Sequence, residues 1–203
     1  MLILKDEGGN YRPLGKLSQE HLNDIQLSAE TLQQRSKSLY AFVSQYHKLT
    51  RIPPPEPEYI RCTDFIQELI SLFSPELKEK NIRLIAECAQ EDLVIRADRS
   101  LLEQALINLV SNASDAMESQ PRPCIEIGIG TGDGATIILV EDNGSGIPEE
   151  LLEEIYTPFF STKGEGSGIG LPLVRQIMRL HGGFVSVTSA PGKGTRVQLH
   201  FPT

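Results

Sequence analysis

A predicted helix over residues 99–117 places four polar side chains along one stripe. Gln104, Asn108, Asn112 and Asp115 follow one another at steps of four, four and three residues, within a segment rich in apolar residues. These steps bring side chains to the same face of a helix. The stripe could face solvent, although Lys, Glu and Arg suit an exposed helix better than Asn. Because amide and carboxylate oxygens are ligands for Mg²⁺, usually beside phosphates and water, the stripe equally indicates a metal and phosphate site.

A carboxylate also follows a predicted buried strand over residues 136–140. Asp142 stands in a turn with Gly144 and Gly146, and glycine both accepts positive φ and lets a ligand approach the backbone. A carboxylate in this place could accept a hydrogen bond from the exocyclic amine of a base. An ordinary tight turn with a capping Asp would have the same residues, so the pattern alone leaves both interpretations open.

Glycines alternate with other residues between 164 and 170 and lead into a predicted helix over residues 168–181. Free N–H groups at a helix N-terminus attract phosphate, and Lys163 adds a positive charge just before the glycines. The neighbouring Phe159 and Phe160 suit a segment that docks on a core, and a flexible linker is the alternative. The stretch contains neither GxxxxGK(S/T) nor GxGxxG, so it matches neither a Walker loop nor a dinucleotide-binding fingerprint.

The elements that must position these residues form a mixed pattern. We predict a helix over residues 63–80 that is capped by Thr63. We predict further strands over residues 82–88, 93–97, 125–129, 185–189 and 196–201. The last two of these strands form a hairpin that turns at residues 191–194. Helices and strands intermix without a strict alternation, which predicts an α+β fold with helices on one face of a sheet.

The N-terminal part is organised differently. Residues 1–17 are predicted as a loop or a frayed hairpin that leads into a helical segment over residues 18–51. Its apolar residues recur at heptad spacing, which favours a helix from an intermolecular bundle over a helix packed on its own domain. Four prolines within residues 52–57 mark a stiff linker, and a folded domain over residues 58–203 follows it.

Composition excludes several classes of protein. The 203 residues carry a formal net charge of −8, which argues against a non-specific nucleic-acid surface. Three widely spaced cysteines form neither a disulfide framework nor a zinc pattern, and they fit a reducing compartment. No apolar run approaches the ~18 residues needed to cross a bilayer, so any membrane segment is expected outside these residues.

Taken in order, these motifs resemble the catalytic ATP-binding domain of sensor histidine kinases of two-component systems, within the GHKL ATPase superfamily. The resemblance covers roughly residues 19–203 and implies a two-layer α/β sandwich. The segments that carry it are an N box at 108–116, a first glycine box at 142–147, an F box at 158–163, a second glycine box at 166–171 and a last glycine box at 192–195.

The resemblance implies a role for each matching residue. Asn112 would coordinate Mg²⁺ with Asn108 beside it, and Lys163 would join these two as a catalytic residue. Asp142 would bind the adenine amine, which selects ATP over GTP. Glycines would let the backbone and an ordered water approach the base, and backbone groups of the second glycine box would hold phosphates. The residues implied to bind ATP are Asn108, Asn112, Asp115, Asp142, Gly144, Gly146, Ile147, Phe160, Lys163, Ser167, Gly168, Ile169, Gly170, Leu171 and Thr195.

The histidine that accepts the phosphoryl group in this family is not identified. In the family that histidine is followed by an acid and, a few residues later, by a proline, and none of His21, His47, His181 and His200 has these neighbours. We therefore expect residues 18–51 to be the second helix of a dimerisation and phosphotransfer hairpin. The acceptor helix, the sensor and any membrane segment would lie upstream. His181 precedes two glycines and is expected at the end of a helix.

The resemblance implies a protein histidine kinase that transfers the γ-phosphoryl group of Mg-ATP to a histidine, for relay to a response regulator. The chain would be the cytoplasmic portion of a membrane-associated bacterial sensor, and its parent would be a homodimer through the hairpin. Without an acceptor motif this chain would not phosphorylate itself. Two alternatives remain open: a serine kinase of the anti-sigma-factor type, and a nucleotide-binding module without turnover.

Overall fold

The computed structural model describes residues 3–5, 11–13, 19–117, 120–132, 134–161 and 167–202. The chain divides into two compact units, Met1–His47 and Lys48–Thr203. Among the described residues, no helix combines the length and apolar character needed to span a membrane. The three cysteines are free thiols. Burial, together with nearby Cys88, raises the pKa of the Cys62 thiol to about 11.

The N-terminal part consists of a short hairpin and a long helix. Strands β1 (Ile3–Lys5) and β2 (Tyr11–Pro13) pair antiparallel, as in the hairpin alternative for this segment. Helix α1 (Gln19–Thr50) confirms the predicted helix. Several apolar side chains of its heptad series are exposed, with Leu32 at 71% and Leu39 at 63%.

The second unit contains the elements that build the site. They are, in chain order, β3 (Glu58–Arg61), α2 (Cys62–Glu79), β4 (Arg83–Cys88), β5 (Val94–Ala97), α3 (Arg99–Asp115), β6 (Cys124–Gly132), β7 (Ala135–Asp142), two short 3₁₀ turns (Glu149–Leu151 and Glu154–Tyr156), α4 (Gly170–Leu180), β8 (Phe184–Ser189) and β9 (Thr195–Pro202).

A five-stranded sheet with the order β4-β6-β7-β9-β8 forms one layer of this unit. Strand β4 runs parallel to β6, and the other neighbours pair antiparallel. Strands β3 and β5 make a separate two-stranded sheet. The register sets Asp142 at the end of β7 directly opposite Thr195 at the start of β9, and Thr195 in turn lies opposite Ser189 of β8.

The helices α2, α3 and α4 cover one face of the large sheet. On β7, Thr136, Ile138, Val140 and Asp142 are buried at every second position, as a strand with one covered face requires. Apolar side chains from this face and from the three helices form a continuous core. The result is the predicted α+β fold, a two-layer sandwich with helices on one face of the sheet.

Three local predictions need correction. Thr63 does not cap α2; the N-cap residue is Arg61, which makes no side-chain cap bond, because β3 runs directly into the helix. Strand β3 itself was not predicted, since four residues after a proline-rich segment show too little alternation. Helix α4 begins at Gly170 rather than at Gly168, because Gly168 has φ of +64° and cannot adopt helical backbone.

Candidate functional site

A cavity of about 450 Å³ opens between α3, the ends of β7 and β9, and the residues that lead into α4. This volume falls within the usual range for small-molecule sites. Apolar side chains such as Val140, Val187 and Val197 form part of its lining, and polar groups concentrate at two ends. Of the predicted residues, those that line it are Asn108, Asn112, Asp115, Asp142, Gly146, Ile147, Phe160, Ser167, Gly168, Gly170, Leu171 and Thr195.

We call the part around the last residues of β7 the strand end of the cavity. Asp142 is 9% exposed there, and its Oδ1 accepts hydrogen bonds from the backbone N–H groups of Gly144 (2.8 Å) and Thr195 (3.3 Å). Strand alternation turns this carboxylate to the helix-covered face, where the cavity opens. Two backbone donors therefore fix the orientation of a buried carboxylate that borders an apolar space.

Glycines let the backbone close around this carboxylate. A Cβ atom at Gly194 would lie 1.9 Å from the carbonyl oxygen of Asp142, and one at Gly146 would lie 2.0 Å from the carbonyl oxygen of Ala190. Both residues have positive φ, +81° and +70°. Gly144 is buried against Ala116, although it does not line the cavity itself. No side chain fits at these positions without moving backbone.

Ser189 supports the strand end through hydrogen bonds that the sequence did not predict. Its hydroxyl accepts from the backbone N–H of Ile147 at 2.8 Å, donates to the carbonyl of Gly194 at 2.7 Å, and lies 3.0 Å from Thr195 Oγ1. It thereby ties the first glycine box to the hairpin turn. A hairpin register placing residue 189 opposite residue 195 would have been the signal for it.

The opposite part of the cavity, bordered by α3 and the start of α4, is the helix end. Asn108 Nδ2 donates to the carbonyl of Gln104 at 2.7 Å. A Cβ at Gly170 would lie 3.3 Å from Asn108 Oδ1 and 3.5 Å from Asn112 Oδ1. Two amide groups and the first turn of α4 therefore meet here, while Gln104 does not line the cavity.

The approach to α4 is a tight crossing of two backbone segments. The N–H of Phe159 donates to the carbonyl of Gly168 at 2.9 Å, and a Cβ at Gly168 would lie 2.5 Å from the carbonyl carbon of Phe159. Phe159 itself has φ of +68°. Ile169 is buried in the core and does not line the cavity. The predicted phosphate ligand Lys163 lies outside the described residues.

A lysine stands beside the last turn of α3. Lys80 Nζ lies 2.7 Å from Glu76 Oε1 and 3.1 Å from Ser114 Oγ. The hydrogen bond to Glu76 raises the pKa of Lys80; burial opposes it to a smaller extent, and the charges of Glu76 and Asp115 raise the pKa by still smaller amounts. Asp115 lines the cavity, whereas Lys80 does not.

Comparison with known proteins decides the family. The family described as histidine kinase-, DNA gyrase B-, and HSP90-like ATPase matches residues 97–203, slightly more than half of the chain. The chain belongs to this family. It is a histidine kinase catalytic ATP-binding domain of the GHKL superfamily, and the matched range contains both ends of the cavity.

The relatives are sensor kinases. Sensor histidine kinase ZraS of Salmonella typhimurium is 32% identical over 174 residues, which cover 86% of this chain and 37% of that protein. The methanogenesis regulatory histidine kinase FilI of Methanothrix harundinacea is 33% identical, over 74% of this chain and 17% of that protein. The chain therefore spans only about a third, or less, of the length of these relatives.

Solved structures show the same fold. The catalytic domain of histidine kinase ThkA is 34% identical with a TM-score of 0.65, covering 72% of this chain and 95% of that domain. ThkA in complex with response regulator protein TrrA is 26% identical with a TM-score of 0.67, covering 94% of this chain and 52% of that one. Both solved chains therefore share their fold with most of this chain.

Proposed function

We propose that the cavity binds Mg-ATP and that the domain transfers the γ-phosphoryl group to a histidine, for relay to a response regulator. The observation that carries this proposal is the pairing of a buried, backbone-held carboxylate at the strand end with two amide groups and a helix start at the helix end. Membership in the histidine kinase ATPase family supports it.

The strand end is the proposed adenine site. Asp142 can accept a hydrogen bond from the 6-amino group of adenine, whereas guanine presents a carbonyl oxygen at that position and would be repelled. Gly144 and Gly146 allow the backbone, and an ordered water, to come close to the base. Ile147 and the valines of the lining can cover the faces of the base. Thr195 lies beside the proposed adenine ligand, because its backbone nitrogen is 3.3 Å from Asp142 Oδ1.

The helix end is the proposed phosphate site. The side chains of Asn108 and Asn112 fit a magnesium ion, because amide oxygens are ligands for this metal and the oxygens of both side chains lie near Gly170 of α4, while the Asn108 amide nitrogen already donates to Gln104. Asn112 would be the direct ligand and Asn108 its support, with Asp115 nearby. Bound there, the metal would neutralise charge on the phosphates. The backbone at Ser167, Gly168 and Gly170, with Leu171 behind it and Lys163 beyond, would hold the phosphate oxygens.

Phosphoryl transfer of this kind depends mainly on positioning and electrostatics. The chain's own histidines near the domain are engaged elsewhere: both ring nitrogens of His181 have partners, and His200 stacks on Phe184 with its Nε2 2.9 Å from Ser186. We therefore propose an acceptor histidine outside this chain, followed by a receiver aspartate. The ThkA–TrrA complex supports a response regulator as partner.

Helix α1 is proposed as the second helix of a dimerisation hairpin. Its exposed leucines at heptad spacing would be covered in a bundle of two such hairpins. On this proposal residues 18–51 belong to the phosphotransfer hairpin, 52–57 to a linker and 58–203 to the catalytic domain. In the parent protein the hairpin would make the homodimer.

Incubation with γ-labelled ATP and Mg²⁺ tests the transfer. We expect no stable label on the chain alone, and acid-labile label on an acceptor-helix peptide with a His–acid motif when it is added. Acid-stable label would favour the serine kinase instead. Acid-labile label on His21 would contradict the view that the acceptor lies outside this chain. A second peptide, with Gln in place of the histidine, is the matched control.

A further inference from the structure

The segment that leads from α1 into the second unit is fastened to that unit at two points. Ile52 is partly buried and packs against the core. Four residues later, the backbone N–H of Glu56 donates to Asp98 Oδ2 at 2.9 Å. Prolines occupy the three positions between these anchors, and they restrict the backbone to extended conformations. The linker is therefore a stiff, extended segment that contacts the second unit at both of its ends.

The two carboxylate oxygens of Asp98 bind different segments: Oδ2 accepts from the linker and Oδ1 accepts from α3. Asp98 is the N-cap residue of α3, and its Oδ1 accepts from the backbone N–H of Leu101 at 3.0 Å and from the hydroxyl of Ser100 at 2.9 Å. Burial alone would raise the pKa of Asp98, but hydrogen bonds from Glu56, Leu101 and Ser100 lower it below its ordinary value. An ionised carboxylate therefore holds the helix with one oxygen and the linker with the other.

The same residue also holds the far end of α4. The backbone N–H of Asp98 donates to Nε2 of His181 at 2.9 Å. Because Nε2 accepts, the ring proton resides on Nδ1, which lies 2.8 Å from the carbonyl of Ile177. His181 is the C-cap residue of α4, and its ring meets Phe201 edge-on at 5.8 Å. Linker, α3 and α4 thus meet at one polar node formed by Glu56, Asp98 and His181.

The opposite ends of these two helices form the helix end of the cavity. Asn108 and Asn112 of α3 contact the start of α4 at Gly170. Residue 112 lies 14 positions beyond Asp98, roughly 21 Å along the helix axis. A helix transmits a shift at one end as a rigid body. A change in how the linker is held at the node would therefore move the amide oxygens relative to the first turn of α4.

We infer that Asp98 is a positioning residue that couples the linker thermodynamically to the nucleotide cavity. This inference rests on the proposed nucleotide binding at that cavity. Coupling of this kind is reciprocal: a linker released from Asp98 weakens nucleotide binding, and bound nucleotide strengthens the bond between Glu56 and Asp98 by the same factor. The linker is then a control element of the domain as well as a spacer.

Glu56→Pro is the most selective test because, apart from the loss of the Glu side chain, it removes the linker's N–H donor. Proline suits this extended, proline-flanked position, and Glu56→Ala is the matched control that keeps the N–H. In the full chain, titration calorimetry with Mg²⁺ and the non-hydrolysable analogue AMP-PNP should give about 5-fold weaker binding for Glu56→Pro, at the low end of typical couplings. Glu56→Ala should stay within about 2-fold of the unaltered chain, the scatter expected of a surface substitution.

Two further measurements keep the inference testable if the proline variant is unstable. Asp98→Ser retains a capping oxygen for Leu101 but has no second oxygen for Glu56, so it should weaken binding to a similar extent. In the unaltered chain, AMP-PNP should slow hydrogen exchange of the Glu56 amide, an effect that a merely structural cap would not produce.

Failure of the coupling and failure of the proposed function give different results. If the unaltered chain binds AMP-PNP, but Glu56→Pro and Asp98→Ser bind equally well and Glu56 exchange is unchanged, the coupling is overturned and nucleotide binding stands. If the unaltered chain does not bind AMP-PNP, the proposed function is overturned, and the coupling with it.

Discussion

The two ends of the cavity differ in the groups that surround their glycines: main-chain carbonyls at the strand end and, around Gly170, asparagine side chains at the helix end. At the strand end, main-chain groups pack so closely that an added Cβ at Gly194 or Gly146 would come within 2.0 Å of a carbonyl oxygen. At the helix end, backbone is this crowded at Gly168, but a Cβ at Gly170 would lie 3.3 Å from the Asn108 side chain, and its neighbours belong to side chains that can rotate. The strand end is therefore set before a ligand arrives, whereas the asparagines of the helix end can adjust to one.

This difference follows from the elements that supply each end. Sheet register holds Asp142, Thr195 and Ser189 opposite one another on three adjacent strands, so the carboxylate cannot shift without breaking ladder bonds. The asparagines instead project from one helix, and only their rotamers must change. We expect a rigid end to provide selectivity for the base and an adjustable end to follow phosphates and metal.

Gly194→Ala should have the largest effect, because it breaks the rigid end. The new methyl group would collide with the carbonyl of Asp142 at a residue with φ of +81°. We expect a loss of about 3 kcal/mol in the free energy of unfolding, from overpacking and left-handed strain together, and loss of nucleotide binding. Urea unfolding and calorimetry measure the two quantities.

Gly192→Ala is the matched control for this prediction. Gly192 has a similar φ of +72°, but nothing lies within 4 Å of its added Cβ. The substitution should lower the free energy of unfolding by only about 1–2 kcal/mol, because it adds only the strain of positive φ. Nucleotide binding should be retained. Equal losses in the two variants would show that backbone strain, rather than close packing on Asp142, makes this end sensitive.

Asn112→Ala tests the adjustable end and should have an intermediate effect. With Mg²⁺ present, affinity for AMP-PNP should fall by roughly 10-fold or more, as for lost support of a metal ligand. In excess chelator the variant and the unaltered chain should bind alike, since only the metal-dependent part is removed. Ser111→Ala, at a neighbouring exposed position that also lines the cavity, is the control and should bind normally. A loss that persists in chelator would contradict a metal role for Asn112.

Asp98→Asn should have the smallest effect, and it depends on pH. Asn caps a helix about as well as Asp, so the variant keeps an acceptor for Leu101, but it removes the carboxylate's charge and places an amide donor opposite the N–H of Glu56. We expect the free energy of unfolding to fall by about 1 kcal/mol at pH 7. Because the folded-state pKa of Asp98 is lowered, its contribution is complete above the ordinary value of about 3.9 and disappears as pH falls through the folded-state pKa. Urea unfolding at pH 7 and pH 3 should show the difference between the two proteins shrinking; a difference that grows at low pH would refute this account.

Local patterns allowed much of the site to be predicted. The period of two places Asp142 on the buried face of β7, and steps of three and four bring Asn108, Asn112 and Asp115 to one side of α3. Both follow from a single element. The α+β sandwich was likewise predictable from the order of elements.

What was not predicted depends on contacts between distant segments. Ser189 accepts a hydrogen bond from the N–H of Ile147, which lies 42 positions away in the sequence. The start of α4 depends on the crossing of Phe159 and Gly168, and the placement of Ile169 in the core follows from that crossing. The linker's hydrogen bond to Asp98 joins residues 42 positions apart, and the prolines alone predicted a stiff linker without indicating what holds it.

Asp142→Asn tests the central claim most directly, because it keeps an oxygen for the N–H groups of Gly144 and Thr195 while placing an amide donor where the carboxylate stood. Calorimetric titration with Mg²⁺ and AMP-PNP is the measurement, with unfolding curves to show that the fold is intact. The account predicts binding by the unaltered chain and at least about 10-fold weaker binding by the variant, since a buried donor would face the adenine amine. Equal affinity in the two folded proteins would contradict Asp142 as the adenine ligand.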